Sequence, residues 1–110
     1  MKILVVDDER DIQTLFEQRF RKEIRDKILD FVFAFSGEDA LKYLNDHEHE
    51  AVLILSDINM PGMSGLELLA HIKQKYMKPS PVVMMITAYG DAENFNTAKE
   101  LGADDFLTKP

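Results

Sequence analysis

Ala51–Leu55 (AVLIL) is apolar at every position, and two residues later the chain carries a single acid, Asp57. A strand with one wet face alternates apolar and polar residues. An unbroken apolar run followed at once by turn residues fits a strand covered by helices on both faces of its sheet. This restricts the chain to an α/β architecture. Asn59, Pro61, Gly62 and Gly65 supply the turn, and Ser64-Gly65-Leu66-Glu67 reads as a capping box opening a helix. Asp57 is therefore expected at the carboxyl end of a strand, where open parallel sheets place their ligand sites.

The rest of the chain repeats this unit. Lys2–Val6 (KILVV) reads as a buried strand ending on Asp7 and Asp8, followed by a helix from Glu9 to about Arg25 with Ile12, Leu15, Phe16, Phe20 and Ile24 facing inward. Leu29–Phe35 is aromatic and branched, as strands are, and Ser36-Gly37-Glu38-Asp39 starts a second helix with Ala40, Leu41 and Leu44 inside. The third helix presents Leu66, Leu69 and Ile72 and stops near Tyr76, before Pro79 and Pro81. Val82–Ile86 (VVMMI) is another continuous strand, ending on Thr87, with Met84 and Met85 as core filler. Gly90 and Asp91 open a fourth helix carrying Phe95, Ala98 and Leu101, and Gly102 closes it. A last short strand surrounds Phe106 and Leu107, just before Lys109 and Pro110. Five strands alternating with four helices predict one domain over residues 1–110, a doubly wound five-stranded parallel sheet.

Composition narrows the function classes. Twenty Asp and Glu against thirteen Lys and Arg give a net charge of −7, which opposes direct binding to nucleic acid or to an anionic membrane surface. There is no cysteine, hence no disulfide framework and no thiolate chemistry. No apolar run approaches the ~18 residues of a membrane span. The first strand begins at Met1-Lys2-Ile3 and leaves no room for a signal peptide, so the expected location is cytoplasmic. His47 and His49 invite a metal reading, but a spacing of two does not align both rings on one helical face, and a solvated loop accounts for them. His71 is expected on the surface.

Four of the five expected strands deliver a polar residue at one edge: Asp7 and Asp8, Asp57, Thr87, and Lys109 just past the last strand. Two carboxylates ~4 Å apart repel by about 4 kcal/mol at an effective dielectric of ~20, so three together call for a cation or a proton. Hard oxygen donors suit Mg²⁺, which accepts one or two carboxylates and a phosphate oxygen and keeps several waters. A nucleophilic carboxylate, a divalent metal, a lysine and a hydroxyl are the parts for phosphoryl transfer to Asp57.

The order and spacing of VVDDE (5–9), SDINMPGMSG (56–65), TAY (87–89) and FLTKP (106–110) resemble the receiver domain of bacterial two-component response regulators, the chemotaxis-type, flavodoxin-like fold. The resemblance covers essentially the whole chain. It implies strand order 2-1-3-4-5. It implies Asp57 as phosphoacceptor, with a histidine kinase or phosphotransfer protein as donor and an output domain as the regulated partner. In the metal site it implies Asp8 as a direct Mg²⁺ ligand, Asp7 acting mainly through water, and the backbone carbonyl of Asn59. Lys109 would pair with Asp57 and then with the phosphoryl group, Thr87 would bind a phosphoryl oxygen, and Phe106 matches the switch aromatic. The bond before Pro110 is expected to be cis, and Asn59 and Tyr89 fall where the family tunes phosphoryl lifetime. As Thr87 moves toward the phosphoryl group, Phe106 would fill the vacated space and remodel the surface of the fourth helix and fifth strand.

Other readings stand beside this one. Asp7 or Asp8 is an N-cap in the plainest alternative, Thr87 a satisfied strand-end hydroxyl, Lys109 a solvated lysine, and Phe106 plain core. A non-phosphorylated scaffold and a small Mg²⁺-dependent phosphatase with an aspartate nucleophile are the alternative functions. The phosphatases of the haloacid dehalogenase kind space their two acids D-x-D, whereas Asp7 and Asp8 are adjacent. The family's C-terminal fifth helix has no counterpart after Pro110, so the domain reads as truncated after the fifth strand. The sheet face that this helix shares with the first is then expected to expose apolar surface, with self-association through it.

Overall fold

The computed structural model describes residues 1–47, 53–75, 81–87 and 92–108. The readings made above at His49, Ala51, Val52, Tyr76, Pro79, Tyr89, Gly90, Asp91, Lys109 and Pro110 lie outside these residues. Strands β1 (Lys2–Val6), β2 (Asp30–Ala34), β3 (Leu53–Asp57), β4 (Val82–Thr87) and β5 (Asp105–Thr108) form one sheet in the order β2-β1-β3-β4-β5. Every pairing is parallel, as the continuous apolar runs require. Helices α1 (Asp11–Arg19), α2 (Arg21–Arg25), α3 (Gly37–Asp46), α4 (Gly65–Lys75) and α5 (Ala92–Glu100) fill the crossovers.

The first crossover corrects the expectation of one helix from Glu9 to Arg25. Phe20 leaves helical geometry (φ −111°, ψ 26°) and separates α1 from α2. Its ring lies 5.8 Å from Phe16 and 5.5 Å from Phe31 on the edge strand. The bonds Phe20 N–Phe16 O (3.0 Å) and Ile24 N–Phe20 O (2.9 Å) bracket the break, so apolar spacing runs through it unchanged. The chain leaves α2 by a Schellman turn, Ile28 N donating to Glu23 O at 2.8 Å and Lys27 N to Ile24 O at 3.1 Å. Lys27 occupies the left-handed position (φ 59°) that glycine ordinarily takes. Gly102 (φ 99°) serves the same turn after α5, as expected, with Ala103 N donating to Ala98 O at 3.0 Å.

Alternate residues of each strand face two separate cores. On one side Leu4, Val6, Ile54, Val83 and Met85 meet Ala40 and Leu44 of α3, Leu68, Leu69 and Ile72 of α4, and Ala98 of α5. Leu68 is fully buried alongside the expected Leu69 and Ile72, while Leu66 is only half-buried. On the other side Ile3, Val5, Leu55 and Ile86 meet Ile12 and Phe16 of α1 and the rings of Phe31 and Phe33. Leu15, expected inside, is 59% exposed, because the inward face of α1 is the narrow line of Ile12 and Phe16 and no described element covers Leu15. No described helix is long and apolar enough to cross a membrane.

Candidate functional site at the carboxyl ends of the strands

Register brings the acids together. Val6 lies opposite Ser56, so one residue further along each strand Asp7 stands beside Asp57, and Asp57 lies opposite Ile86, one residue before Thr87. Carboxylate oxygens of Asp7, Asp8 and Asp57 all lie within 4.8 Å of one another. Asp7 and Asp57 are buried, at 1% and 5% exposure, while Asp8 is exposed. At such separations each pair of ionised carboxylates repels by about 3–4 kcal/mol at an effective dielectric of ~20. Three hard oxygen donors converging from two strand ends therefore fit a divalent cation such as Mg²⁺.

Neither acid of the first pair caps a helix. Asp7 Oδ1 accepts the amide of Glu9 at 3.0 Å, an Asx-type turn, and the N-cap of α1 falls on Arg10, which makes no side-chain cap bond. Asn59 is exposed in the loop after β3. The backbone of Thr87 closes β4 and lies opposite Thr108, the last residue of β5. Phe106 is not at the edge with the acids. It sits mid-strand opposite Met85, half-buried against the larger core, its ring 4.2 Å from that of Phe95.

The loop from Asp57 to Gly65 is fastened at several points. Ile58 and Met60 drop into the core, and Gly65 N donates to Ile58 O at 2.7 Å. The expected capping box is present: Glu67 N donates to Ser64 Oγ at 3.1 Å, and Ser64 N to Glu67 Oε1 at 3.5 Å. Gly65 does more than turn the chain. A Cβ there would lie 1.9 Å from the carbonyl oxygen of Asp57, so α4 starts in direct contact with the acid's own peptide group. Glu38, read from sequence only as part of a helix start, reaches across to this loop, its Oε1 accepting Met63 N at 3.0 Å. A contact between residues 25 positions apart leaves no local sequence signal.

At the opposite end of the sheet, Asp104 Oδ2 accepts both Lys73 Nζ and Val83 N at 2.8 Å, and Lys73 also donates to Pro81 O at 3.0 Å. Burial alone would raise the Asp104 carboxyl, but the hydrogen bonds from Lys73 and Val83, with the lysine's charge, hold it below its ordinary value of 3.8. His47, in turn, stacks on Tyr43 with ring centroids 4.2 Å apart, and its Nδ1 lies 2.9 Å from the Tyr43 carbonyl. His71 is exposed.

Residues 3–110 match the family model of the response regulator receiver domain. Among solved structures, the receiver domain of NtrX from Brucella abortus is 35% identical, with 98% of this chain and 85% of that one covered and a TM-score of 0.80. The response regulator protein TrrA from Thermotoga maritima, solved in complex with Mg²⁺-BeF, is 31% identical over 99% of this chain and 86% of that one, with a TM-score of 0.76. A response regulator receiver domain protein from Clostridium thermocellum is 28% identical, covering 99% and 82% of the two chains, with a TM-score of 0.79.

Proposed function

Because the chain belongs to the response regulator receiver domain family, we propose that it is a phosphoaccepting signalling module whose acceptor is Asp57. The observation that carries this reading is the convergence of Asp7, Asp8 and Asp57 within 4.8 Å at the strand ends. One oxygen of Asp57 attacks the phosphorus of a phosphohistidine on a histidine kinase or phosphotransfer protein, and the P–O bond forms as the P–N bond breaks. Asp8, Asp7 through water, Asp57 and the Asn59 carbonyl would hold Mg²⁺, which when bound would neutralise charge on the phosphoryl oxygens. Lys109 is assigned the remaining positive charge at the phosphoryl group, and Thr87 a hydrogen bond to one of its oxygens. The domain assists its own phosphorylation and dephosphorylation and is not an enzyme acting on a free substrate.

The phosphoryl group carries ~1.5 to 2 negative charges in place of the single charge of the Asp57 carboxylate, and brings new acceptor oxygens to this edge. Thr87 is drawn toward it and Phe106 follows, changing the surface of α5 and β5 that an output reads. Moving such an equilibrium from 1:99 to 99:1 takes about 5.5 kcal/mol of differential stabilisation.

The test is intact-protein mass after incubation with Mg²⁺ and a small acyl-phosphate donor, for wild type and Asp57→Asn. A metal-dependent gain of one phosphoryl group in wild type alone is expected. An equal gain in the variant would move the acceptor elsewhere, and no gain in wild type would sink the reading.

A further inference from the structure

Glu38 stands in the first turn of α3, a helix already capped by Ser36 Oγ, which accepts Asp39 N at 3.0 Å. Its exposed side chain is not needed by its own helix and is spent on the loop after Asp57, accepting Met63 N at 3.0 Å. The preceding residue, Gly62, has φ 73°, and a Cβ there would lie 3.5 Å from both carboxylate oxygens of Glu38. The Met63 side chain in turn rests on Gly37, where an added Cβ would come within 2.9 Å of its Cγ and Sδ. Gly37-Glu38 thus clasps Gly62-Met63 by one hydrogen bond and one close van der Waals contact.

The clasp closes the outer side of a loop whose inner side is already fixed. Ile58 and Met60 are buried, Gly65 N is bonded to Ile58 O, and the capping box holds Ser64. Between the fastened points runs the exposed residue Asn59. Without an acceptor for Met63 N, the stretch 61–63, which follows Asn59 and Met60 directly, is expected to gain conformers.

We infer that Glu38 is a positioning residue for the metal site, holding the loop that carries Asn59, whose carbonyl the reading above assigns to Mg²⁺. The role rests on the phosphoacceptor reading above. Glu38 carries a negative charge as well as an acceptor oxygen, and the two contributions separate chemically: Glu38→Gln keeps the acceptor and removes the charge, while Glu38→Ala removes both.

The experiment titrates ¹⁵N-labelled wild type, Glu38→Gln and Glu38→Ala with MgCl₂ alone, following amide shifts, and measures exchange of the Met63 amide without metal. Glu38→Ala is expected to weaken Mg²⁺ binding roughly fivefold, the equivalent of one ordinary hydrogen bond, and to speed Met63 exchange. Glu38→Gln is expected to stay within about twofold of wild type in both readouts. Equal binding by wild type and Glu38→Ala would overturn the role, as would Glu38→Gln weakening as much as Glu38→Ala, since charge alone would then be responsible. A wild type that does not respond to Mg²⁺ would instead remove the phosphoacceptor reading itself, and the positioning role with it.

Discussion

Val82 and Val83 are neighbours of the same chemistry on the same strand, yet Val82 is 45% exposed and Val83 is fully buried. The difference belongs to the two faces of the sheet. One is closed by α3, α4 and α5, which seal Leu4, Val6, Ile54, Val83 and Met85. The other carries α1 beside β1 and β2, faced with phenylalanine rings, and leaves Val82 and Leu107 open on β4 and β5. Apolar character sets what a residue gains from cover, but a second element has to provide the cover. The closed face supports the loop that follows Asp57, through Ile58 and Met60, while Asp57 itself falls in step with Leu55 of the other face.

The sharpest way to break this contrast is a pair of truncations. Leu69→Ala on the closed face is expected to cost about 2–5 kcal/mol in urea unfolding, and Leu15→Ala on the open face under about 0.5 kcal/mol. Similar costs would mean that the two faces are equally packed in solution.

A smaller effect is expected at Asp104, where α4 is tied to the starts of β4 and β5. Its folded carboxyl titrates below the ordinary 3.8, so its contribution is complete above that pH and is lost as pH falls through the folded value. The side chain is 42% exposed, which limits the contribution to roughly 0.5 kcal/mol, less at high salt. Asp104→Asn should flatten the loss of stability as pH falls below the ordinary carboxyl value of 3.8. An unchanged acid limb would show that the ion pair contributes nothing.

The smallest effect is expected at Leu107→Ser, within about 0.5 kcal/mol of wild type in unfolding. The informative readout there is sedimentation at rising concentration. If the open face drives self-association, the variant stays monomeric at concentrations where wild type does not, and identical profiles would sever association from that face.

The strands and their polar ends were legible because burial on both faces leaves a continuous apolar run, and that run stops where the chain reaches the polar edge of the sheet. Asp7, Asp8 and Asp57 could be paired from sequence once the sheet was parallel. Helix interiors were legible only in part. Spacing put Leu15 on the inward stripe, whereas that stripe is only Ile12 and Phe16 and no described element covers Leu15, and Leu68 was missed because α4 buries a wider stripe than a three-residue pattern describes. The break at Phe20 has no glycine or proline to announce it, being set by rings on an adjacent strand. Glu38 was out of reach for the same reason, since its partner is chosen by the fold and not by a neighbour in sequence.

Gly65 carries a consequence for how this chain can diverge. With a Cβ brought to 1.9 Å from the Asp57 carbonyl, every other amino acid at this position must push α4 away from the strand that bears the acid. Leu15 and Leu107 are exposed and are expected to accept exchange at small cost, whereas a side chain at position 65 is expected to disturb the helix start and the acid's peptide group together.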